Sequence, residues 1–144
     1  MRTRPFALAR ALASVFLLLG CSADVRIRAS GDLTQGVAFR FVEGGSERPL
    51  SNITANTLAV ESDDGLGGWR LVWGMQGRAV LGTELSYGEP PNGMTVSHAA
   101  EQLVARRRYR IRVQGSTSSA AVSVSASFVI DERGVARDEP RPAG

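Results

Sequence analysis

The chain contains no lysine, one cysteine (Cys21) and one histidine (His98) among its 144 residues. Without lysine it can form no Schiff base and has no lysine to act as a general base. One cysteine cannot make a disulfide within its own chain, which excludes a disulfide-stapled mini-protein. One histidine and one cysteine do not supply the ligands of a closed zinc site. We therefore expect neither a metal nor another cofactor.

An excess of positive charge is also absent once the N-terminus is set aside. All 17 basic residues are arginines, and Arg2, Arg4 and Arg10 precede the first acidic residue, Asp24. From residue 21 onward, 14 arginines are matched by 14 aspartates and glutamates, so this part carries no net charge. A surface that binds polyanions needs a basic excess. We therefore expect no nucleic-acid partner.

No apolar run of the chain is long enough to span a membrane as a helix. The run at residues 11–19 has nine residues, and at about 1.5 Å per residue it covers roughly half of a bilayer core. A run of this length behind basic residues is typical of the apolar core of a secretory signal peptide. The sequence thus predicts that residues 1–20 are a signal peptide.

The apolar run ends in Leu18-Leu19-Gly20-Cys21, which resembles the lipobox of bacterial lipoproteins. Leu18 and Gly20 match that pattern, whereas Leu19 is bulkier than the usual occupant of its position. The resemblance implies that Cys21 is lipidated and that the membrane is a partner through this N-terminal lipid. Ser22 after the cysteine implies transport to the outer membrane, facing the periplasm, if the cell is Gram-negative. The alternative is an uncleaved anchor followed by a free thiol.

After the cysteine, the hydrophobic period is two rather than 3.6, which predicts β-strands. Glycine-, serine- and aspartate-rich turns separate these runs. We expect an all-β fold, a single antiparallel β-sandwich of about seven short strands. The regular strand candidates are residues 25–29, 37–42, 69–73, 109–113 and 121–130, and the less regular ones are 53–60, 78–81 and 94–96.

The rest of the mature chain is predicted to be turn or tail. Residues 21–24 form the lipidated N-terminus and a short tether, and the sandwich domain covers residues 25–131. Residues 97–107 are compatible with a helix, and we interpret them as a turn or a short helical segment between the sheets. Residues 132–144 have little to bury, which predicts a flexible C-terminal tail.

Leu103 precedes Tyr109 by six residues at the start of a predicted strand. This spacing resembles the tyrosine corner of fibronectin type III and related immunoglobulin-like domains, in which the tyrosine hydroxyl bonds to the backbone of the corner. The Pro-Gly pair that is usual in that corner is replaced here by Ala105 and Arg106. The resemblance implies an immunoglobulin-like sandwich in which Leu103 and Tyr109 are structural residues. It also implies a tryptophan in the core.

Two tryptophans, Trp69 and Trp73, are available for that core position. Leu71 lies between them on the same face of a regular strand, so we predict a Trp-Leu-Trp stripe that packs into the core. If both tryptophans were exposed, they could stack on a glycan. Tyr87 and Glu89, in and beside a proline-rich loop, are the better candidates for an exposed contact surface.

A second candidate contact surface is a row of arginines on one predicted strand. Arg108, Arg110 and Arg112 alternate with apolar residues, so their side chains project to one face. If Arg26 and Arg28 of the first strand adjoin this row, together they can hold a phosphate or a carboxylate. The alternative, which we favour, is a solvated face whose arginines pair with acids on adjacent strands.

Residues for catalysis are few. Ser97 and His98 are adjacent, and on an extended strand their side chains point to opposite faces, so they form no catalytic dyad. Residues 61–65 lack the layout of a calcium loop and indicate a tight turn. We therefore expect a non-enzymatic, lipid-anchored protein of the cell envelope. Its sandwich would bind, or pack against, an envelope protein or glycan.

Two other functions remain open at this stage. The first is a small envelope hydrolase that uses only carboxylates, such as Glu84 and Glu89 near Tyr87. It requires two acids that converge in a cleft. The second is a carrier of lipid or of a small apolar ligand, and it requires a hollow interior.

Overall fold

The computed structural model describes residues 24–140, so the predicted signal peptide and Cys21 lie outside the described residues. The described residues form nine strands and no helix, and thus no helix able to cross a membrane. The strands are β1 (Val25–Asp32), β2 (Gly36–Glu43), β3 (Ile53–Asp63), β4 (Trp69–Leu81), β5 (Glu84–Ser86), β6 (Met94–His98), β7 (Arg107–Ser116), β8 (Ala121–Ile130) and β9 (Ala136–Asp138).

The strands form two antiparallel sheets. One has three strands in the order β1-β2-β5, and the other has six in the order β6-β4-β3-β7-β8-β9. The predicted all-β sandwich is confirmed, with nine strands in the described chain rather than about seven. The short strands β5 and β9 have three residues each, too few to produce a recognisable period.

The hydrophobic core lies between the sheets and is centred on aromatic side chains. Phe39 of β2 meets Phe128 of β8 edge to face, with 5.3 Å between ring centroids. Tyr109 of β7 stacks on the same Phe128 ring at 5.6 Å. These rings bury large apolar areas and join the two sheets. Other fully buried side chains are Trp73, Phe41, Ile53, Leu58, Met75, Ile111 and Ile130.

The predicted tyrosine corner is present. The Tyr109 ring is 1% exposed, and its hydroxyl accepts a hydrogen bond from the backbone N–H of Val104 at 2.8 Å. Leu103 is buried beside it. Arg106, at a position where tyrosine corners usually have glycine, adopts a left-handed φ of 62°, a conformation that costs a non-glycine residue roughly 1–2 kcal/mol. The corner therefore closes without the Pro-Gly pair, at the expense of local backbone strain.

A β-bulge in β4 exchanges the faces of its side chains. Trp73 and Leu71 pair with consecutive residues of β3, which leaves Val72 without a counterpart. Trp73 is consequently buried, at 1% exposure, whereas Leu71 and Trp69 project from the outer face. The predicted Trp-Leu-Trp core stripe is therefore wrong, because one extra residue shifts the alternation by one position.

The C-terminal segment is more ordered than expected. The carboxylate of Asp131 accepts hydrogen bonds from the backbone N–H groups of Arg133 and Val135, both at 2.9 Å, and so closes a turn. The chain then returns as β9, which pairs with β8. The predicted flexible tail is thus wrong for β9, while residues 141–144 lie outside the described residues. Residues 99–106 form the corner without a helix.

Substitutions at Tyr109 test the corner. Tyr109→Phe removes one hydroxyl and its hydrogen bond, and should lower the free energy of unfolding by about 1 kcal/mol. Tyr109→Ala also leaves a cavity and should cost ~3–5 kcal/mol. Denaturant titration of the wild type and both variants measures these values. An unchanged denaturant midpoint for Tyr109→Ala would contradict the structural role of this residue.

Candidate contact surfaces

The arginine row on β7 lies on the outer face of the six-stranded sheet, opposite the buried side of the strand. Arg110 makes two hydrogen bonds to Glu61 of β3, Nε to Oε1 at 3.1 Å and Nη2 to Oε2 at 3.2 Å. Arg112 adds a third contact, Nη1 to Oε1 of the same carboxylate, at 3.4 Å. Arg108 contacts Asp63 of β3 at 3.6 Å. Acids of the neighbouring strand thus neutralise the row, as the favoured interpretation expected.

Trp69 belongs to this arginine network and not to the core. The guanidinium carbons of Arg110 and Arg108 lie 4.4 and 5.0 Å from its ring centroid, within the range of cation–π attraction. Trp73 lies on the opposite face of the sheet. The two tryptophans therefore do not form a paired platform for stacking on a glycan.

Tyr87 is not an exposed contact residue, and that prediction is wrong. Its ring packs edge-on against Trp73 with 5.1 Å between centroids, and its hydroxyl donates to the carbonyl oxygen of Glu101 at 2.7 Å. Burial raises the pKa of the phenol. The β4 bulge explains the difference, because it turns Trp73 inward, where it supports Tyr87. Glu89 of the same loop is exposed.

A polar cluster that the sequence analysis did not find lies where the corner meets β4. Glu101 accepts hydrogen bonds from Arg70 Nη1 at 2.9 Å to each carboxylate oxygen, and it lies 2.7 Å from His98 Nε2. The hydrogen bond with His98 has the largest effect on the pKa of Glu101, followed by that with Arg70, and both lower it. The backbone N–H of Glu101 also donates to the carbonyl of Val72 at 2.9 Å. The cluster therefore fastens the corner to the bulge. Arg70 and Glu101 are 31 residues apart, so only the sheet topology brings them together.

A groove of about 860 Å³ opens between β1 and β8. Arg108 lines it and is bonded through Nε to Glu139 at 2.6 Å. Arg28 is paired with Glu47 and lies 3.8 Å from Asp138, while Arg26 makes no ion pair with any carboxylate of residues 24–140. The structure thus brings Arg26 and Arg28 next to Arg108, and it leaves Arg110 and Arg112 with Glu61. The remaining lining residues are Ile27, Ser125, Ala126, Ser127 and Pro140.

The other acidic candidates occupy separate places. Glu84 and Glu89 are exposed and do not line this groove. Asp64 accepts hydrogen bonds from the N–H groups of Leu66 and Gly68, at 2.7 and 2.9 Å, so its carboxylate closes the β3–β4 turn. Backbone hydrogen bonds lower the pKa of Asp64. This agrees with the predicted tight turn.

Comparisons of the chain with protein-family models, with curated proteins and with solved structures found no match. Its function is inferred here from its own residues.

The pH dependence of stability tests the network around Glu61. Burial opposes ionisation of Glu61, but the hydrogen bonds and charges of Arg110 and Arg112 outweigh this effect and lower its pKa from the ordinary 4.5. A lowered folded-state pKa stabilises the protein above the unfolded-state pKa, and this stabilisation disappears as the pH falls through the folded-state pKa. Glu61→Gln should therefore cost about 2 kcal/mol at neutral pH and much less near pH 3.

Urea titrations at both pH values measure this difference. Glu84→Gln is the matched control, since Glu84 is exposed and makes no ion pair within residues 24–140. An equal cost of Glu61→Gln at both pH values would show that the charge of Glu61 does not contribute to stability.

Proposed function

We propose that this chain is a lipid-anchored, non-catalytic protein of the cell envelope whose β-sandwich binds another envelope component. The anchoring part of the proposal rests on residues 1–21. Their basic start, short apolar run and Leu-Leu-Gly-Cys sequence agree with one another. Two or more acyl chains would hold the protein stably on a membrane.

A lipid on Cys21 would keep the sandwich close to the membrane surface. The first strand begins at Val25, so residues 21–24 are the whole tether. Four residues span at most about 14 Å when fully extended. A partner would therefore be a component of the same membrane or of the layer directly next to it.

The binding part of the proposal is carried by the groove between β1 and β8. Most arginines of the outer face are already paired with acids, whereas Arg26 on the wall of the groove has no acidic partner within residues 24–140. Arg26 is exposed, and a guanidinium without a carboxylate partner among the described residues can bind an anionic ligand through charge-assisted hydrogen bonds. Aromatic and aliphatic side chains fill the space between the sheets, which gives no support to the alternative of a hollow carrier.

Substitution of Cys21 tests the anchor. Cells that express the wild type, Cys21→Ser or the matched control Ser22→Ala are labelled with a fatty-acid analogue. Label should appear on the wild type and on Ser22→Ala, because both keep Cys21, the residue that is to be lipidated. Cys21→Ser should carry no label and should leave the membrane fraction. Equal labelling of all three proteins would overturn the proposed anchor.

A further inference from the structure

Within residues 24–140, one edge of β8 has no strand neighbour over most of its length. β7 pairs with β8 from Ala121 to Ile130, but β9 covers the other edge only from Phe128 to Ile130. The backbone N–H of Glu139 donates to the carbonyl of Ser127 at 3.1 Å, so Ser127 directs its backbone groups to this edge. Alternate residues of a strand share an edge. Ser125, which lines the groove, and Ser123 therefore direct their N–H and C=O groups to this edge, where no strand of residues 24–140 pairs with them.

The opposite wall of the groove is the edge strand β1. Among the described strands it pairs only with β2, and its Ala29 N–H donates to the carboxylate of Asp138 at 2.7 Å. Ile27 of β1 is buried, and Ala126 of β8 packs against the core, so the floor is apolar. The groove thus combines a free strand edge, an apolar floor and an arginine rim.

The chain's own C-terminal segment demonstrates what fits along this edge. β9 lies extended beside β8, and the acids at its end contact arginines of the groove: Asp138 approaches Arg28, and Glu139 binds Arg108. Pro140 has no N–H group to continue the ladder. Along β1, Asp32 pairs with Val135 and Ala29 bonds to Asp138. Arg26 therefore lies three residues beyond Ala29, past the end of β9 and beside the part of the β8 edge that no strand of residues 24–140 covers.

We propose that this groove binds an extended acidic peptide of a partner protein, which adds as a strand to the free edge of β8. The peptide backbone pairs with Ser125 and Ser123, and a carboxylate of the peptide contacts Arg26, since Arg28 is already paired with Glu47 and Asp138. Backbone pairing supplies affinity, and alternate side chains supply specificity. This inference rests on the proposed binding function and specifies the chemistry of its partner.

Residues 141–144 of the same chain are a poor alternative occupant. Their sequence is Arg-Pro-Ala-Gly, which would bring a positive charge towards Arg26 and has a proline at the second position. Like charges on neighbouring strands repel, and proline cannot donate to a ladder. Charge complementarity thus favours an acidic partner segment.

The test uses the full-length protein in detergent micelles and a fluorescein-labelled peptide, Val-Asp-Val-Glu-Val-Asp. Fluorescence anisotropy should show saturable binding. Arg26→Gln should raise the dissociation constant about tenfold, because it removes a charged contact. Arg78→Gln is the matched control, since Arg78 is exposed on β4 and does not line the groove, and it should leave the constant unchanged.

Strand addition is separated from simple anion binding by a second pair of measurements. The peptide Val-Asp-Pro-Glu-Pro-Asp has the same charge but fewer N–H groups, and it should bind at least about threefold more weakly. Ser125→Pro removes an N–H group that points away from β7, and it should weaken the binding of the first peptide roughly three- to tenfold. Thermal unfolding of each variant confirms that it is folded.

Equal binding of the two peptides would overturn the proposal, as would no binding or an effect of Arg78→Gln equal to that of Arg26→Gln. Binding only after residues 141–144 are deleted would identify those residues as the occupant and would also overturn it. None of these outcomes changes the labelling of Cys21, so failure of this inference is distinguishable from failure of the proposed anchor.

Discussion

The bulge at Val72 is the local feature on which the arrangement of this sandwich depends most. Its extra residue directs Trp73 into the core and leaves Trp69 outside. The bulge also leaves the Val72 carbonyl available to other partners. This carbonyl accepts a hydrogen bond from the backbone N–H of Glu101 at 2.9 Å and lies 3.4 Å from the hydroxyl of Tyr87. The core, the corner and the loop after β5 therefore meet at one backbone position.

The arginines near the seam of the two sheets form two groups. Arg110 and Arg112 of β7 contact Glu61, whereas Arg26 and Arg28 of β1 line the groove. Arg110 and Arg112 converge on the carboxylate of Glu61, which is 13% exposed, and such partly buried pairs hold neighbouring strands in register. Arg108 stands between the groups, because it contacts Asp63 on one side and Glu139 on the other. Among residues 24–140, acids thus neutralise Arg108, Arg110 and Arg112 of β7, whereas Arg26 at the seam has no carboxylate partner.

Much of the fold could be predicted because its signals are local. Period-two alternation located the long strands, and the six-residue spacing of Leu103 and Tyr109 indicated the corner, since both depend on residues close in sequence. The bulge could not be predicted in this way, because one inserted residue leaves the composition of β4 unchanged. That omission reversed the interpretation of Trp69. Tyr87 was predicted to be exposed because it adjoins a proline-rich loop, whereas its ring packs against Trp73, which the bulge turns inward.

The groove was beyond sequence reasoning for a different reason. It depends on contacts between distant parts of the chain, such as that of Ala29 with Asp138, 109 residues later. Its acidic end comes from β9, whose three residues carry two charges and no recognisable strand pattern. From the sequence, Arg26 and Arg28 could be placed beside the arginine row of β7 only on the assumption that the strands adjoin. The sequence could not show that Arg108 is the arginine of the row that lies near them, because this depends on where β8 and β9 pair.

Amide hydrogen exchange along β8 tests the central claim, an open strand edge at the seam of the sandwich, most directly. The amides of Val124 and Ala126 point to β7 and should exchange slowly, whereas those of Ser123 and Ser125 point to the groove and should exchange quickly. An alternating pattern of this kind, measured by NMR on the unliganded protein, is the predicted result. Uniformly slow exchange from Ala121 to Ser127 would show that the edge is already paired, and it would contradict the account.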